Sequence, residues 1–270
     1  MDWVIDASGQ RCFIGRSRRT VNTAADLKAT ASYGYFENAS GLPEPLGRHV
    51  QHVVSIDNGW IWFIPTSPTL TSIGLVTQQT KTPKENEFES IVRAALSPID
   101  LGDWITRHGS RLHHVRDWSY VNQRPMGTNW VTCGDAFAFV DPILSGGVDF
   151  GIRSGLSAAV AIARAQSGDE EALEAYVKQH TQEIQSYLRM ARYWYGNNRS
   201  VDGFFWEARD SIPAGYASTP LRAFVYLTSG QYAADQHFKV FSDAQEKRIF
   251  EALGVSSQRL RTALKSTRDR

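Results

Sequence analysis

The stretch GDAFAFVDPILSGGVDFGIRSG, Gly134 to Gly155, concentrates the residues of this 270-residue chain whose types and spacing can hold a ligand. Gly134 has no Cβ, so the backbone there can approach a bound group closely. The Asp135 carboxylate offers acceptor oxygens and no donor, which suits sugar or ribitol hydroxyls. Pro142 fixes the connection just before Ser145-Gly146-Gly147, whose unencumbered amides stand at the start of a following helix, where about half a positive charge gathers. That corner favours an anion. Gly147, Gly151 and Gly155 recur every four residues on one helical face, although an interior glycine costs about 1 kcal/mol relative to alanine. The spacing implies that something lies very close to that face. The alternative is a helix packed tightly on a sheet with no ligand, which leaves Asp135 and the Ser-Gly-Gly loop unexplained.

These residues need a strand to deliver Gly134, supplied by Trp130 to Cys133, and a helix after Gly147, read from Val148 to Ala165. Upstream, Lys28 to Phe36, His49 to Ile56, Trp60 to Ile64 and Ser72 to Thr77 read as strands separated by Gly, Pro, Asn and Asp, a predominantly antiparallel sheet. Trp60 and Trp62, two apart on one strand, share a face, with Ile61 and Phe63 on the other. Phe88, Ile91, Val92 and Ala95 repeat at helical spacing between Glu85 and Leu96, and Arg111 to Val121 reads as extended. Near the start, the strand-like Trp3-Val4-Ile5 stops at Asp6-Ala7-Ser8-Gly9. From Gly168 onward the chain is helical in tendency and aromatic-rich, with Tyr193, Trp194, Tyr195, Phe204, Phe205 and Trp206 close together.

Several function classes are disfavoured. With 29 Lys+Arg against 28 Asp+Glu the net charge is +1, so no bulk attraction to nucleic acid or membrane follows, and 42% hydrophobic residues are ample for a core. The basic tail from Arg259 to Arg270 reads as a solvated helix face. There is no apolar run of membrane-spanning length and no signal-peptide pattern at the first residues, so a cytoplasmic protein is expected. Cys12 and Cys133 form no CxxC and read as buried thiols. His49 and His52, three apart, and the adjacent His113 and His114 point to opposite sides of their strands, so neither pair clamps one metal. No serine has glycines two positions away on both sides, which excludes a hydrolase nucleophile elbow. Asp100 with Asp103, and Asp202 with Glu207, read as solvated loop residues.

A flavin fits all three features of the Gly134–Gly155 segment: ribityl hydroxyls for Asp135, a ring edge that becomes electron-rich on reduction for the helix start, and a flat surface for the glycine face. At this point the sequence resembles a known family. VIDASG, ending in Asp6-Ala7-Ser8-Gly9, together with GDAFAFVDPILSGG, is similar to the second half of a flavin-dependent monooxygenase fold of the glutathione-reductase type. GWIWFIP, Gly59 to Pro65, matches the WxWxIP signature of flavin-dependent halogenases, and YGYFENA, Tyr33 to Ala39, also resembles that family.

The resemblance implies an α+β flavoprotein. Residues 1–24 and 126–165 would form a partial FAD-binding region, 25–125 a mostly antiparallel substrate-side sheet, and 166–270 a helical C-terminal cover. It implies a cofactor site of Asp6, Gly9, Gly134, Asp135, Pro142, Gly146 and Gly147, a halide site of Ser145, Gly146 and Gly147, and a substrate pocket containing Trp60 and Trp62. The implied chemistry uses reduced FAD from a separate flavin reductase, O2, and chloride or bromide. The product is a hypohalous acid that travels through a tunnel to an electron-rich ring. Asp149 would oppose anion binding only if it faced the pocket.

Two departures from the family's pattern stand out. Leu144 replaces the glutamate that tryptophan-type members carry before the loop serine, which tilts the expected substrate toward phenols or pyrroles, the latter often held on a carrier protein. No two glycines in this sequence are two apart, so GxGxxG is absent, and none of Lys28, Lys81 or Lys84 lies in a motif matching the family's essential lysine. The expectation is a truncated product, a fragment, or half of an enzyme whose N-terminal FAD-binding half is a separate chain, with its catalytic residue unassigned here. A monooxygenase or reductase of the same fold, and a non-catalytic remnant or subunit, are the alternatives.

Overall fold

The computed structural model describes residues 3–37, 51–56, 58–78, 81–96 and 106–197. His49, the carboxylates Asp100, Asp103, Asp202 and Glu207, and everything expected beyond residue 197 lie outside them. The chain divides into two compact units, Met1–Ala25 with Trp118–Arg270, and Asp26–Asp117 inserted between those two stretches. The first stretch carries β1 (Val4–Asp6), α1 (Phe13–Ser17) and β2 (Val21–Thr23). The insert carries β3 (Thr30–Glu37), β4 (His52–Ile56), β5 (Gly59–Pro65), β6 (Leu70–Thr77), α2 (Glu85–Leu96) and β7 (Thr106–Arg116). The return adds β8 (Tyr120–Asn122), β9 (Met126–Gly127), β10 (Trp130–Thr132), β11 (Ala138–Phe139), α3 (Gly147–Gln166) and α4 (Ala172–Asn197). Helices and antiparallel sheets together give the expected α+β class. Among the described residues no helix is long and apolar enough to cross a membrane.

The inserted unit is an antiparallel sheet in the order β4-β5-β6-β3-β7. Alternation along β5 puts Ile61 and Phe63 on the face that α2 covers. They form a core there with Phe36, Ile73, Leu75, Phe88 and Val92. Helix α2 starts with Glu85 and Glu87 in its positive first turn, and Glu87 reaches back to accept the Lys84 N–H at 2.9 Å. Trp60 and Trp62 lie on the other face with ring centroids 5.7 Å apart. Trp62 sits 5.6 Å from Tyr33, which stacks on His113 at 5.1 Å. Only a glycine at position 74 leaves room for the Trp62 ring, because any Cβ there would overlap it. His113 therefore belongs to the aromatic face, while His114 turns the other way and bonds Ser32 at 2.9 Å.

The extended run read from Arg111 to Val121 is two strands of two different sheets. Asp117 breaks it with φ of 49°, a left-handed conformation that aspartate tolerates, and its N–H donates to Ala29 O at 3.0 Å. Among the described residues, the unit that begins and ends the chain has only short strands. β1 pairs in parallel with β10, which pairs antiparallel with β9; β8 lies between β11 and β2. Two- and three-residue strands carry no readable alternation, which is why β2, β9 and β11 had no sequence signal.

Candidate functional site

The parallel register of β1 and β10, Asp6 opposite Thr132, brings the loops after both strands together at their carboxyl ends, where open α/β sheets place their ligands. The Cys133 N–H donates to Asp6 O at 3.0 Å. The Cys12 thiol and the Tyr120 hydroxyl both bond Asp135 O, at 3.6 and 2.7 Å, although Cys12 and Asp135 are 123 positions apart. The Asp6 carboxylate serves the loop itself, accepting the N–H groups of Ser8 at 3.0 Å and Ile14 at 2.8 Å, while Ser8 Oγ accepts the Phe13 N–H. These bonds cap α1 with negative charge at its start. Gly9 stands at φ 63°, open on the side a Cβ would take.

Beyond the strand end, Gly134 adopts φ 55°, and its N–H donates to Ser154 Oγ at 2.8 Å, which fixes α3 beside it. A small open cleft of about 30 Å³ lies here. Asp135, Phe139, Asp141, Gly146, Gly147 and Tyr187 are among its lining residues. Burial pushes the Asp135 carboxyl above the usual range, and no described residue donates a hydrogen bond to it. Asp141 is nearly enclosed, and burial raises it to about 6 against three donors: Ile143 N–H at 2.9 Å, Tyr195 OH at 3.0 Å and Trp118 Nε1–H at 3.3 Å.

Asp141 heads a single 3-10 turn, Pro142–Leu144, and that turn ends at Ser145 with φ 49°. A serine held in the left-handed region carries roughly 1–2 kcal/mol of strain, which the surrounding bonds must offset. Gly146 follows as the residue before α3. It gives no side-chain cap, so the first-turn N–H groups of the helix keep their donor capacity. A Cβ at Gly146 would come within 2.7 Å of the Tyr187 ring, so glycine is needed for α4 to close over the loop. At Gly151 and Gly155 a Cβ would meet nothing within 4 Å. The helix approaches the Gly134 turn, whose own Cβ position lies 3.5 Å from Gly151 Cα, and leaves open the space that a Cβ at Gly151 or Gly155 would take. Asp149 does not line the cleft; its carboxylate pairs with Arg153 at 2.6 Å, and Arg153 also pairs with buried Glu183.

Sequence reading missed Asp141, although an aspartate before Pro142 at the head of a turn is a recognisable cap. It also missed Tyr187 and Ile184, which reach the cleft from α4 and have no local signal. Between α3 and α4, Ser157 Oγ lies 2.6 Å from His180 Nε2, and His180 Nδ1 lies 3.0 Å from Glu183 Oε2. This has the connectivity of a nucleophile relay, yet Ser157 sits mid-helix and donates to Arg153 O at 2.8 Å, and His180 is buried. It ties the two helices together. Among the described residues no group of three or more His, Cys, Asp or Glu could hold a metal ion.

Residues 1–269 match the tryptophan halogenase family model. The chain belongs to the tryptophan halogenase family. A flavin-dependent halogenase (otaD) of Aspergillus carbonarius is 34% identical over 201 residues, covering 68% of this chain and 40% of that protein. A 1H-pyrrole-2-carbonyl-[peptidyl-carrier protein] chlorinase of Pseudomonas fluorescens is 30% identical over 175 residues, covering 62% of this chain and 37% of that one. Among solved structures, the flavin-dependent brominase Bmp2 superposes with a TM-score of 0.71 at 21% identity, over 93% of this chain and 62% of the brominase. That likeness shows the fold the two share. This tryptophan halogenase family member thus spans about 40% of the length of the curated relatives it matches.

Proposed function

We propose that the chain forms the halide-loop and substrate-sheet portion of a flavin-dependent halogenase acting on a phenolic or pyrrolic metabolite. The observation that carries this is the cleft faced by the Gly146-Gly147 start of α3 and by the Asp135 carboxylate, which has no hydrogen-bond donor among the described residues. The residues fit a flavin: a hydroxyl acceptor at Asp135, glycines with open space at Gly151 and Gly155, and anion-seeking amides at Gly146 and Gly147. Gly9, Gly134 and Pro142 would line the cofactor, and Asp6 would hold the loop that carries Gly9. Reduced flavin, when bound, supplies the electrons that convert O2 and chloride or bromide to a hypohalous acid.

The chain's own residues do the rest. The N–H groups of Gly146 and Gly147 bind the halide, with Ser145 setting their direction. Arg153 pairs with Asp149, which keeps that negative charge from opposing the anion. Asp135 would accept a hydrogen bond from a ribityl hydroxyl. Trp62, only partly buried, would offer an aromatic surface to the substrate, and Trp60, 2% exposed, packs against it from within.

The pyrrole-carrier relatives support a pyrrole ring tethered to a carrier protein as one substrate; a flavin reductase would supply the electrons, in the cytoplasm. Further polypeptide, in the same protein or a separate chain, would complete the cofactor site. β1 is an edge strand among the described residues, and Val148, Ile152, Leu156 and Val160 form an exposed apolar row on α3. The test is the purified protein with FAD, a flavin reductase, NADH, O2 and bromide over a panel of phenols and of free and carrier-bound pyrroles, read by mass spectrometry. A brominated ring is expected. A hydroxylated or reduced product at saturating halide transfers the assignment to a monooxygenase or reductase of the same fold. Failure to bind FAD, alone or with the completing polypeptide, makes the chain a non-catalytic subunit.

A further inference from the structure

We infer that Asp141 is the positioning residue of the Ser145–Gly147 loop, its buried carboxylate serving as the point where the loop, the segment before β8 and helix α4 are tied together. The inference rests on reading that loop as the halide site and deepens it. Oδ1 accepts the Ile143 N–H at 2.9 Å, which closes the 3-10 turn. Oδ2 accepts Tyr195 OH from α4 at 3.0 Å and Trp118 Nε1–H at 3.3 Å. All three segments belong to one compact unit.

The geometry explains why an enclosed carboxylate, costly in itself, stands beside a site meant for an anion. A loop of two glycines and one left-handed serine has little intrinsic preference for a single shape. Amides that must point at one ion need that shape held. Only an acceptor with several lone pairs can take one backbone and two side-chain donors at once, and an ionised aspartate is that acceptor. With its oxygens engaged by donors, Asp141 directs its charge into the scaffold. Asparagine at this position could still accept from Ile143, but its amide would then face the indole N–H of Trp118, which can only donate. The tie to Trp118 would be lost, and Ser145 could relax from φ 49°, turning the Gly146 and Gly147 amides away.

The experiment is bromide binding by the purified full chain, with and without FAD, read from broadening of the bromide NMR line, for wild type, Asp141→Asn, Tyr195→Phe and the surface control Glu174→Gln. Temperature is set where circular dichroism shows each protein folded, so that loss of stability alone does not move the reading. Asp141→Asn should weaken saturable bromide binding about tenfold or more, as removal of supporting hydrogen bonds does at other ion sites. Tyr195→Phe should weaken it less and Glu174→Gln not at all. Should Asp141→Asn not fold, Tyr195→Phe carries the test. Wild-type affinity in the folded Asp141 and Tyr195 variants overturns the positioning role while leaving the halide loop standing. No saturable binding by the wild type overturns the halide loop, and this inference with it.

Discussion

Along β5 and β6, Ile61, Ile73 and Leu75 are at most 1% exposed, and α2 lays Phe88 and Val92 over them. Along α3, Ile152 is 60% exposed and Leu156 67%, and the glycines at 151 and 155 face open space. The two regions have similar shares of apolar residues but opposite uses for them. On the sheet face that α2 covers, the apolar side chains find their complement within the same unit, so composition and alternation are enough to build it. In the helix the apolar row and the bare backbone have no complement among the described residues; the proposed function puts a flat cofactor on one side and further polypeptide on the other. A folded region that pays for itself locally is structural; one that leaves both glycines and leucines uncovered is built for a complex.

The sharpest way to break this comparison is to open the closed region. Phe63→Ala removes a ring that is 1% exposed from the sheet core and should destabilise the inserted unit by about 3–5 kcal/mol, measured by urea unfolding. A loss below about 1 kcal/mol would mean the sheet, like α3, waits for a partner.

Next in size is the titration of Asp141. Burial raises it from 3.8 to about 6, so between those values the folded chain keeps a proton that the unfolded chain has lost. Its contribution to stability is therefore greatest below about pH 4 and is lost as pH rises through about 6, a span worth at most about 3 kcal/mol. Relative to Asp141→Asn, wild type should lose melting temperature over that interval. Parallel curves would show that the three donors outweigh burial.

The two regions also differ in how far sequence reading reached. β3, β5, β6 and α2 were legible because alternation and helical spacing each persist for five residues or more, and the α3 start was legible because Gly146-Gly147 follows Pro142 at a fixed offset. The strand break at Asp117 was not, since a single left-handed residue leaves no trace in hydrophobic pattern. Nor was the bond from Tyr195 to Asp141, or the ring of Tyr187 over Gly146, because α4 meets the loop only through tertiary packing. The anion-favouring corner could be read; what holds it in place could not.

A third test sets two glycines of the same helix start against each other. Gly146→Ala drives a methyl against the Tyr187 ring and should cost about 1–3 kcal/mol. Gly151→Ala meets nothing within 4 Å and, as alanine in a helix interior, should stabilise the isolated chain by up to about 1 kcal/mol. Flavin reverses the second outcome: if that face receives a ring, the added methyl lowers FAD affinity, so thermal melts with and without FAD should separate the two effects. Higher stability with unchanged FAD affinity would remove the ring from this face.

The smallest effect is expected where exposure is greatest. Ile152→Ser, at a side chain 60% exposed, should leave the unfolding free energy within about 0.5 kcal/mol of wild type. The apolar row is nevertheless large enough to make the isolated protein associate, because Val148, Ile152, Leu156 and Val160 lie one turn apart on one side of α3. Sedimentation at rising concentration should thus show less self-association for Ile152→Ser than for wild type, with matching urea curves. A stability loss as large as that of a core position would mean that α3 is already covered by the chain itself, and the contrast between the closed sheet and the open helix would vanish.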